Sequence, residues 1–192
     1  MKVEINEDRR VRKTKKALRE GLAQLLNEKN LQHITVRELT DNVDIHRSTF
    51  YANFSDIYDL YSHLEDTIVN EISDIVSVDL VFKPTIFYRC LLEYISNNRQ
   101  ISRLFFSGAI NSAFFDRIAD LCKEACMDCW RDEYDLKGNS EELEYYVQFC
   151  IMGALGVIGL WVSRDFDCPI EKLVDMLVRI DTTCGKLLEH SE

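Results

Sequence analysis

The chain has 192 residues, 46% hydrophobic and 29% charged, which suits one domain, or a small module joined to a medium one, and excludes wholesale disorder. Seven glycines and two prolines are too few for the turns of an all-β sandwich or barrel, so long helices with short links are expected. The net charge of −10 hides a split: residues 1–54 carry 11 Lys+Arg against 8 Asp+Glu, and residues 55–192 carry 12 against 25.

The first helix is predicted over about Asp8 to Lys29. Val11, Leu18, Leu22, Leu25 and Leu26 fall mostly on one of its faces. Seven basic residues and no acid lie between Arg9 and Arg19. Phosphate binding needs such a local patch rather than a basic protein, and a solvated helix face is the competing reading. Thr35, with Glu38 three residues on, reads as a capping box that opens a short helix to Val43. Val36, Leu39 and Val43 face inward. A turn at Asp44-Ile45 leads to a second short helix, His46 to Asn53. Ser55 or Asp56 caps a long helix, about Ile57 to Val76.

Val78 to Lys83 is a short apolar connector. Pro84 opens a helix that ends at Asn97-Asn98, and Ile101 to Phe106 makes a short one before Ser107-Gly108. Asn111 or Ser112 starts a helix to about Tyr134, and Lys137-Gly138-Asn139 is a break. Ser140 opens a long helix to about Arg164, and after Asp167-Cys168-Pro169 the last helix runs from Ile170 to about Leu188. Aromatic residues crowd the middle of the chain, most of them for the core.

Two short helices joined by a tight turn, set against a longer first helix, form a helix-turn-helix unit. Phe50 and Phe54, four apart, anchor the second short helix. Arg47, Ser48, Thr49, Tyr51 and Asn53 are turned to the rim or outside. Arginine forks onto guanine O6 and N7, asparagine pairs with adenine N6 and N7, and tyrosine and threonine hydroxyls suit phosphate oxygens. His46 either caps its helix through a ring nitrogen or reads a base.

ITVRELTDNVDIHRSTFYANFSDIYDLY resembles the DNA-binding domain of the TetR family of transcriptional regulators, through Ile34-Thr35-Val36-Arg37, Thr49-Phe50-Tyr51, Phe54 and Asp59-Leu60. The likeness covers about residues 9–65. Two positions depart from the pattern: Asp44 stands where glycine is usual in the turn, and Ile57 where a lysine is common. Backbone amides at the helix start near Ile57 remain as phosphate donors. LLEYISNNRQISRLFF and YYVQFCIMGALGVIGLWVSRDFDCPIEKLVDML are similar to the C-terminal domain of a TetR subgroup that includes regulators of dihydroxyacetone kinase genes.

The pass along the chain gives about nine helices and no convincing strand, and the resemblance implies the same all-α class. A helix-turn-helix DNA-binding domain occupies residues 1–54, a fourth helix connects at about 55–76, and a helical effector-binding and dimerisation domain covers 77–192. It implies a regulator, expected to be a repressor, that binds a palindromic operator in double-stranded DNA as a homodimer and is released by an unknown small-molecule effector. It places DNA contacts on Thr35, Arg37, Arg47, Ser48, Thr49, Tyr51 and Asn53, and the reading of the helix itself adds His46. A co-regulator acting through protein contact, with weak or no DNA binding, is the alternative.

Gly153, Gly156 and Gly159 put small residues three apart on one helix. Close approach of a second helix accounts for them, across a dimer axis or within one subunit. Cys122, Cys126 and Cys129 have the spacing of a radical-enzyme iron–sulfur motif, but i, i+4, i+7 on a helix is also a buried stripe. No cofactor and no metal are expected. The scattered histidines make no zinc set with the cysteines, and nothing resembles a nucleophile elbow, so an enzyme is not expected. The 14-residue apolar run Phe149 to Val162 is short for a bilayer span of about 20. With no apolar segment behind the basic N-terminal stretch, and seven cysteines read as reduced thiols, a cytoplasmic location is expected.

Overall fold

The computed structural model describes residues 9–77, 83–106, 112–133 and 141–188. The basic segment folds as α1 (Arg9–Leu26), whose buried face is Leu18, Gly21, Leu22, Ala23 and Leu25. A single 3-10 turn (Leu31–His33) leads to α2 (Val36–Asn42), α3 (Arg47–Tyr51) and α4 (Ile57–Ser77). Leu18, Leu22, Leu39, Phe50, Phe54, Ile57 and Leu60 share one core, with Val36 and Val43 packed against it. The larger part comprises α5 (Pro84–Asn97), α6 (Arg99–Phe106), α7 (Ser112–Glu133), α8 (Glu141–Ser163) and α9 (Ile170–Leu187). No strand occurs among the described residues. The expected connector at 78–83 (except Lys83), the Ser107-Gly108 link, and the break and helix start at 137–140 lie outside the described residues.

The chain divides into two compact units, residues 1–67 and 68–192, and the division falls inside α4. In the first unit α2 packs on α1 and α3 on α2. Gly21 is what lets α1 and α2 approach. A Cβ there would stand 2.2 Å from Val43 Cγ1 and 3.2 Å from Leu39 Cδ1. Gly21→Leu is expected to overpack the contact at a cost of about 3 kcal/mol, the upper end for such changes because the 2.2 Å approach is so close, which exceeds the roughly 1 kcal/mol that helix propensity returns. A circular-dichroism melt checks it; an unchanged melt would mean the two helices part freely.

In the second unit α5 packs on α9, and α8 lies against α6, α7 and α9. Phe105, Phe106, Phe114 and Phe115 make an aromatic group, mostly edge-to-face, with ring centroids 4.7 to 5.9 Å apart. At the end of α8, Asp165 and Phe166 both take left-handed backbone (φ 57° and 61°), a costly state for phenylalanine. Trp161 holds the Phe166 ring edge-on at 4.9 Å and the Arg99 guanidinium lies 4.4 Å over it. Trp161 Nε1–H donates to the Cys168 carbonyl at 2.9 Å, which fixes the corner leading into α9.

The expected apolar run understated α8. Residues Glu142–Ser163, 22 in all, are long and apolar enough to cross a membrane by length and composition, because only the first turn is acidic. Its inner face is core: Leu143, Val147, Cys150, Ile151, Leu155, Ile158, Trp161 and Val162 are buried. Gly159 belongs to that packing, since a Cβ there would meet the Phe106 carbonyl oxygen of α6 at 3.0 Å. Of the two readings of this glycine, close packing within the subunit is the one that this contact supports. Gly153 and Gly156 differ: a Cβ on either meets nothing within 4 Å.

Candidate nucleic-acid interface

The turn before α3 is built from its end residues. The Ile45 amide donates to the Thr40 carbonyl at 3.0 Å, and Asp44 between them sits at φ 52°. This is the six-to-one bond of a Schellman ending, with aspartate in the left-handed position that glycine fills at less cost. The carboxylate of Asp44 is exposed.

His46 precedes α3 as its cap. Its Nδ1 accepts the Ser48 backbone amide at 3.2 Å and lies 2.7 Å from Ser48 Oγ. The neutral ring then carries its proton on Nε2. Capping and base reading are therefore not exclusive for this residue: one nitrogen closes the helix and the other is a donor on an exposed side chain.

Phe50 is fully buried and Phe54 nearly so, while Arg47 and Ser48 are exposed and Tyr51 is 59% exposed. The Tyr51 ring leans edge-on against Phe50 with centroids 5.4 Å apart, which orients a large exposed side chain. Thr49 is half-buried. Asn53 is held otherwise than the sequence implies: its Nδ2 donates to the Thr49 carbonyl at 2.8 Å, beyond the end of α3. With that donor engaged, the two-point pairing with adenine is not available in this rotamer.

Thr35 caps α2, its hydroxyl accepting the Glu38 amide at 3.2 Å. The returning half of the box does not form, because the Glu38 carboxylate pairs with Lys29. Arg37 is exposed and pairs loosely with Asp41 at 3.7 Å, a contact worth little in water and readily given up to a phosphate. On α1, Arg9, Arg12 and Lys13 are exposed, whereas Arg19 donates to Thr67 Oγ1 at 2.8 Å.

The start of α4 does not offer the phosphate site expected of it. Asp56 Oδ1 accepts the Asp59 amide at 2.8 Å, and Asp59 Oδ2 accepts from the Ser55 amide at 2.8 Å and the Ser55 hydroxyl at 3.1 Å. Those Ser55 hydrogen bonds hold the Asp59 carboxyl below the usual range. Two carboxylates now occupy a helix end that would otherwise attract an anion. Ile57 beside them is buried in the core.

The second unit holds a cavity of about 50 Å³. Phe87, Tyr88, Phe106 and Trp130 supply aromatic wall, and Cys122, Cys126 and Cys150 line it together with Asp181. In the cysteine triplet of α7, Cys122 and Cys129 are buried and Cys126 is half-buried, as an inward-facing stripe would be. Burial pushes the Cys122 and Cys129 thiols up to about 11 and raises Cys126 further, its thiol neighbours adding to the effect. Protonated thiols are poor nucleophiles and poor metal ligands. Among the described residues no group of three or more His, Cys, Asp or Glu side chains is placed to hold a metal ion.

Asp181 was not singled out from the sequence. Its signal is positional: Val174, Leu177, Cys184 and Leu188 are buried at the same heptad spacing, so Asp181 puts a charge in the apolar stripe of α9. Burial, and then the nearby Glu133, raise its carboxyl to about 6.

Residues 83–181, just over half of the chain, match the family model of a transcriptional regulator C-terminal region of the TetR type. Among solved structures, a TetR-family transcriptional regulator from Streptomyces coelicolor superposes with a TM-score of 0.65 at 16% identity, over 92% of this chain and 82% of that one. The dihydroxyacetone kinase operon activator DhaS gives 0.64 at 17%, over 91% and 97%. The fatty acid degradation regulator FadR from Bacillus halodurans gives 0.64 at 15%, over 92% and 95%. At these identities the likeness establishes the fold. No curated protein matches the sequence. With an all-α fold and a family model spanning the larger unit, the chain belongs to the TetR family of transcriptional regulators.

Proposed function

We propose that the chain acts in the cytoplasm as a homodimeric repressor. Two copies lay their α3 helices in successive major grooves of a near-palindromic operator, about 34 Å apart or a multiple of it. A small molecule held in the larger unit favours another spacing and releases them, with a coupling of about 1–3 kcal/mol.

The observation that carries the DNA reading is the division of α3 and its neighbour: Phe50 and Phe54 inside, Arg47, Ser48 and Tyr51 outside. In this reading Arg47 forks onto a guanine, and His46, Ser48 and Thr49 add shorter hydrogen bonds. Thr35, Arg37 and the Tyr51 hydroxyl hold phosphates, with the α1 cations beside them. Asn53 serves mainly to close the end of α3. Family members generally dimerise, and the exposed apolar side of α8 and α9 is the face available for a second copy.

The test is fluorescence anisotropy on duplexes from the region upstream of its own gene, at fixed salt. A near-palindrome is expected to bind at least about 10³-fold tighter than a scrambled duplex. Arg47→Ala is expected to cost about 1–3 kcal/mol and to relax discrimination at one base pair, whereas Tyr51→Phe weakens all sequences alike. Binding at nonspecific affinity only, with no preferred duplex, would sink the reading. The exposed Asp44 carboxylate and the buried Ile57 favour the co-regulator alternative. Capture of a defined protein partner by a chain without operator preference would establish it.

A further inference from the structure

The cavity of the larger unit combines two features that rarely meet by accident. Its wall is almost wholly apolar and aromatic, and it contains one carboxyl group, that of Asp181. Among the described residues no lysine, arginine or histidine lines it. Among the described residues, the groups that interact with Asp181 are neutral or acidic: Tyr88 from α5, Cys126, Cys129 and Glu133 from α7, and Cys150 from α8.

An acid in such surroundings has two ways to lower its free energy. It takes up a proton, or it gains a cation. With its carboxyl raised to about 6, protonation does not answer at neutral pH, where the group is largely ionised. A bound cation does. An ammonium group at the half-buried Asp181 would meet opposite charge in a medium that screens it less than water does. The faces of Phe87, Tyr88 and Trp130 are the kind of surface that attracts a cation as well. The same field repels a carboxylate or phosphate. Size sets the other limit. At roughly 10–15 Å³ for a water-sized atom, the cavity of about 50 Å³ takes about three to five heavy atoms before any side chain moves.

We propose that the cavity is a site for a small alkyl-ammonium ligand, with Asp181 as its counter-ion and the aromatic wall around its hydrocarbon part. This rests on the reading of the larger unit as the effector-binding part, and it names the class of effector.

Propylamine, 1-propanol and propionate share a three-carbon skeleton, none exceeds five heavy atoms, and they differ in charge. Each is titrated into the full-length protein without DNA at pH 7.5 and constant ionic strength, with tryptophan emission as the readout, since Trp130 lines the cavity. The amine is expected to saturate at least tenfold tighter than the alcohol, and the carboxylate not at all. Asp181→Asn is expected to bring the amine down to the level of the alcohol while leaving the alcohol unchanged. Equal or tighter binding of the alcohol overturns the proposal, as does binding of the carboxylate, unaltered amine binding by Asp181→Asn, or no saturation by any of the three to 50 mM, on the order of the weakest contact such a fragment makes. Because no DNA is present, a chain that binds the amine but no operator refutes the regulator reading alone. One that binds an operator but no amine refutes this proposal alone.

Discussion

Asp181→Asn is expected to stabilise the larger unit by about 2 kcal/mol at pH 8 and to lose that advantage as the pH falls towards 4. The wild-type carboxyl is raised from 3.8 to about 6 in the folded protein. Between those values the native state keeps a proton that the unfolded chain has released. Stability therefore falls as pH rises from about 4 to 6 and is level above it. A shift of that size converts to about 3 kcal/mol, and partial exposure of the side chain discounts it. Asparagine keeps the shape and removes the titration. The two tryptophans, Trp130 and Trp161, both lie in the larger unit, so denaturant melts followed by tryptophan emission report on that unit. Parallel wild-type and variant stabilities from pH 4 to 8 would mean that the carboxyl is solvated and not in the cavity wall.

That prediction also marks where the sequence stops being legible. Most of the first unit is local chemistry: a threonine hydroxyl three residues from its amide, apolar residues at helical spacing, two phenylalanines four apart. Each rule acts within one turn, and α1 to α4 follow from them with ends shifted by no more than three residues. What escaped depends on neighbours distant in sequence. Gly21 is silent until Val43 stands against it. Glu38 had two acceptable partners, the backbone before its own helix and the ammonium of Lys29, and the full charge won. Gly153, Gly156 and Gly159 are one pattern in the sequence and two environments in the fold, because the helix rotates the last of them against the Phe106 carbonyl. Asn53 has its exposed-face spacing, but half-burial brings its amide back to Thr49. Asp181 was one of 33 acids, and only its place in an apolar stripe distinguished it.

The second large effect is expected from Phe149→Glu: a dimer turned into monomers, and an operator affinity lower by about 10²–10⁴, the factor that bivalent attachment contributes. Tyr145, Phe149 and Leu160 are 75%, 66% and 53% exposed on α8, and Met152 is exposed among them. Their spacing puts them on one face with Gly153 and Gly156, whose backbone stands open. Ile180 and Leu187 are exposed on α9. Burying such side chains stabilises by about 1.5–3 kcal/mol each, and a two-fold axis counts each of them twice. The same symmetry multiplies the damage. One glutamate per chain becomes two in a desolvated seam, close to each other and without a cation. Phe149 is so exposed within its own subunit that the variant should keep its helical content and melting temperature, which separates loss of pairing from loss of folding. Gly156→Leu checks the contact from the backbone side, since it blocks close approach without adding charge. Sedimentation of both variants reads the assembly directly, and anisotropy on the palindromic duplex reads its consequence. If both variants sediment as dimers, the α8 face is not the seam, and the two glycines are open for a reason unconnected with a second copy.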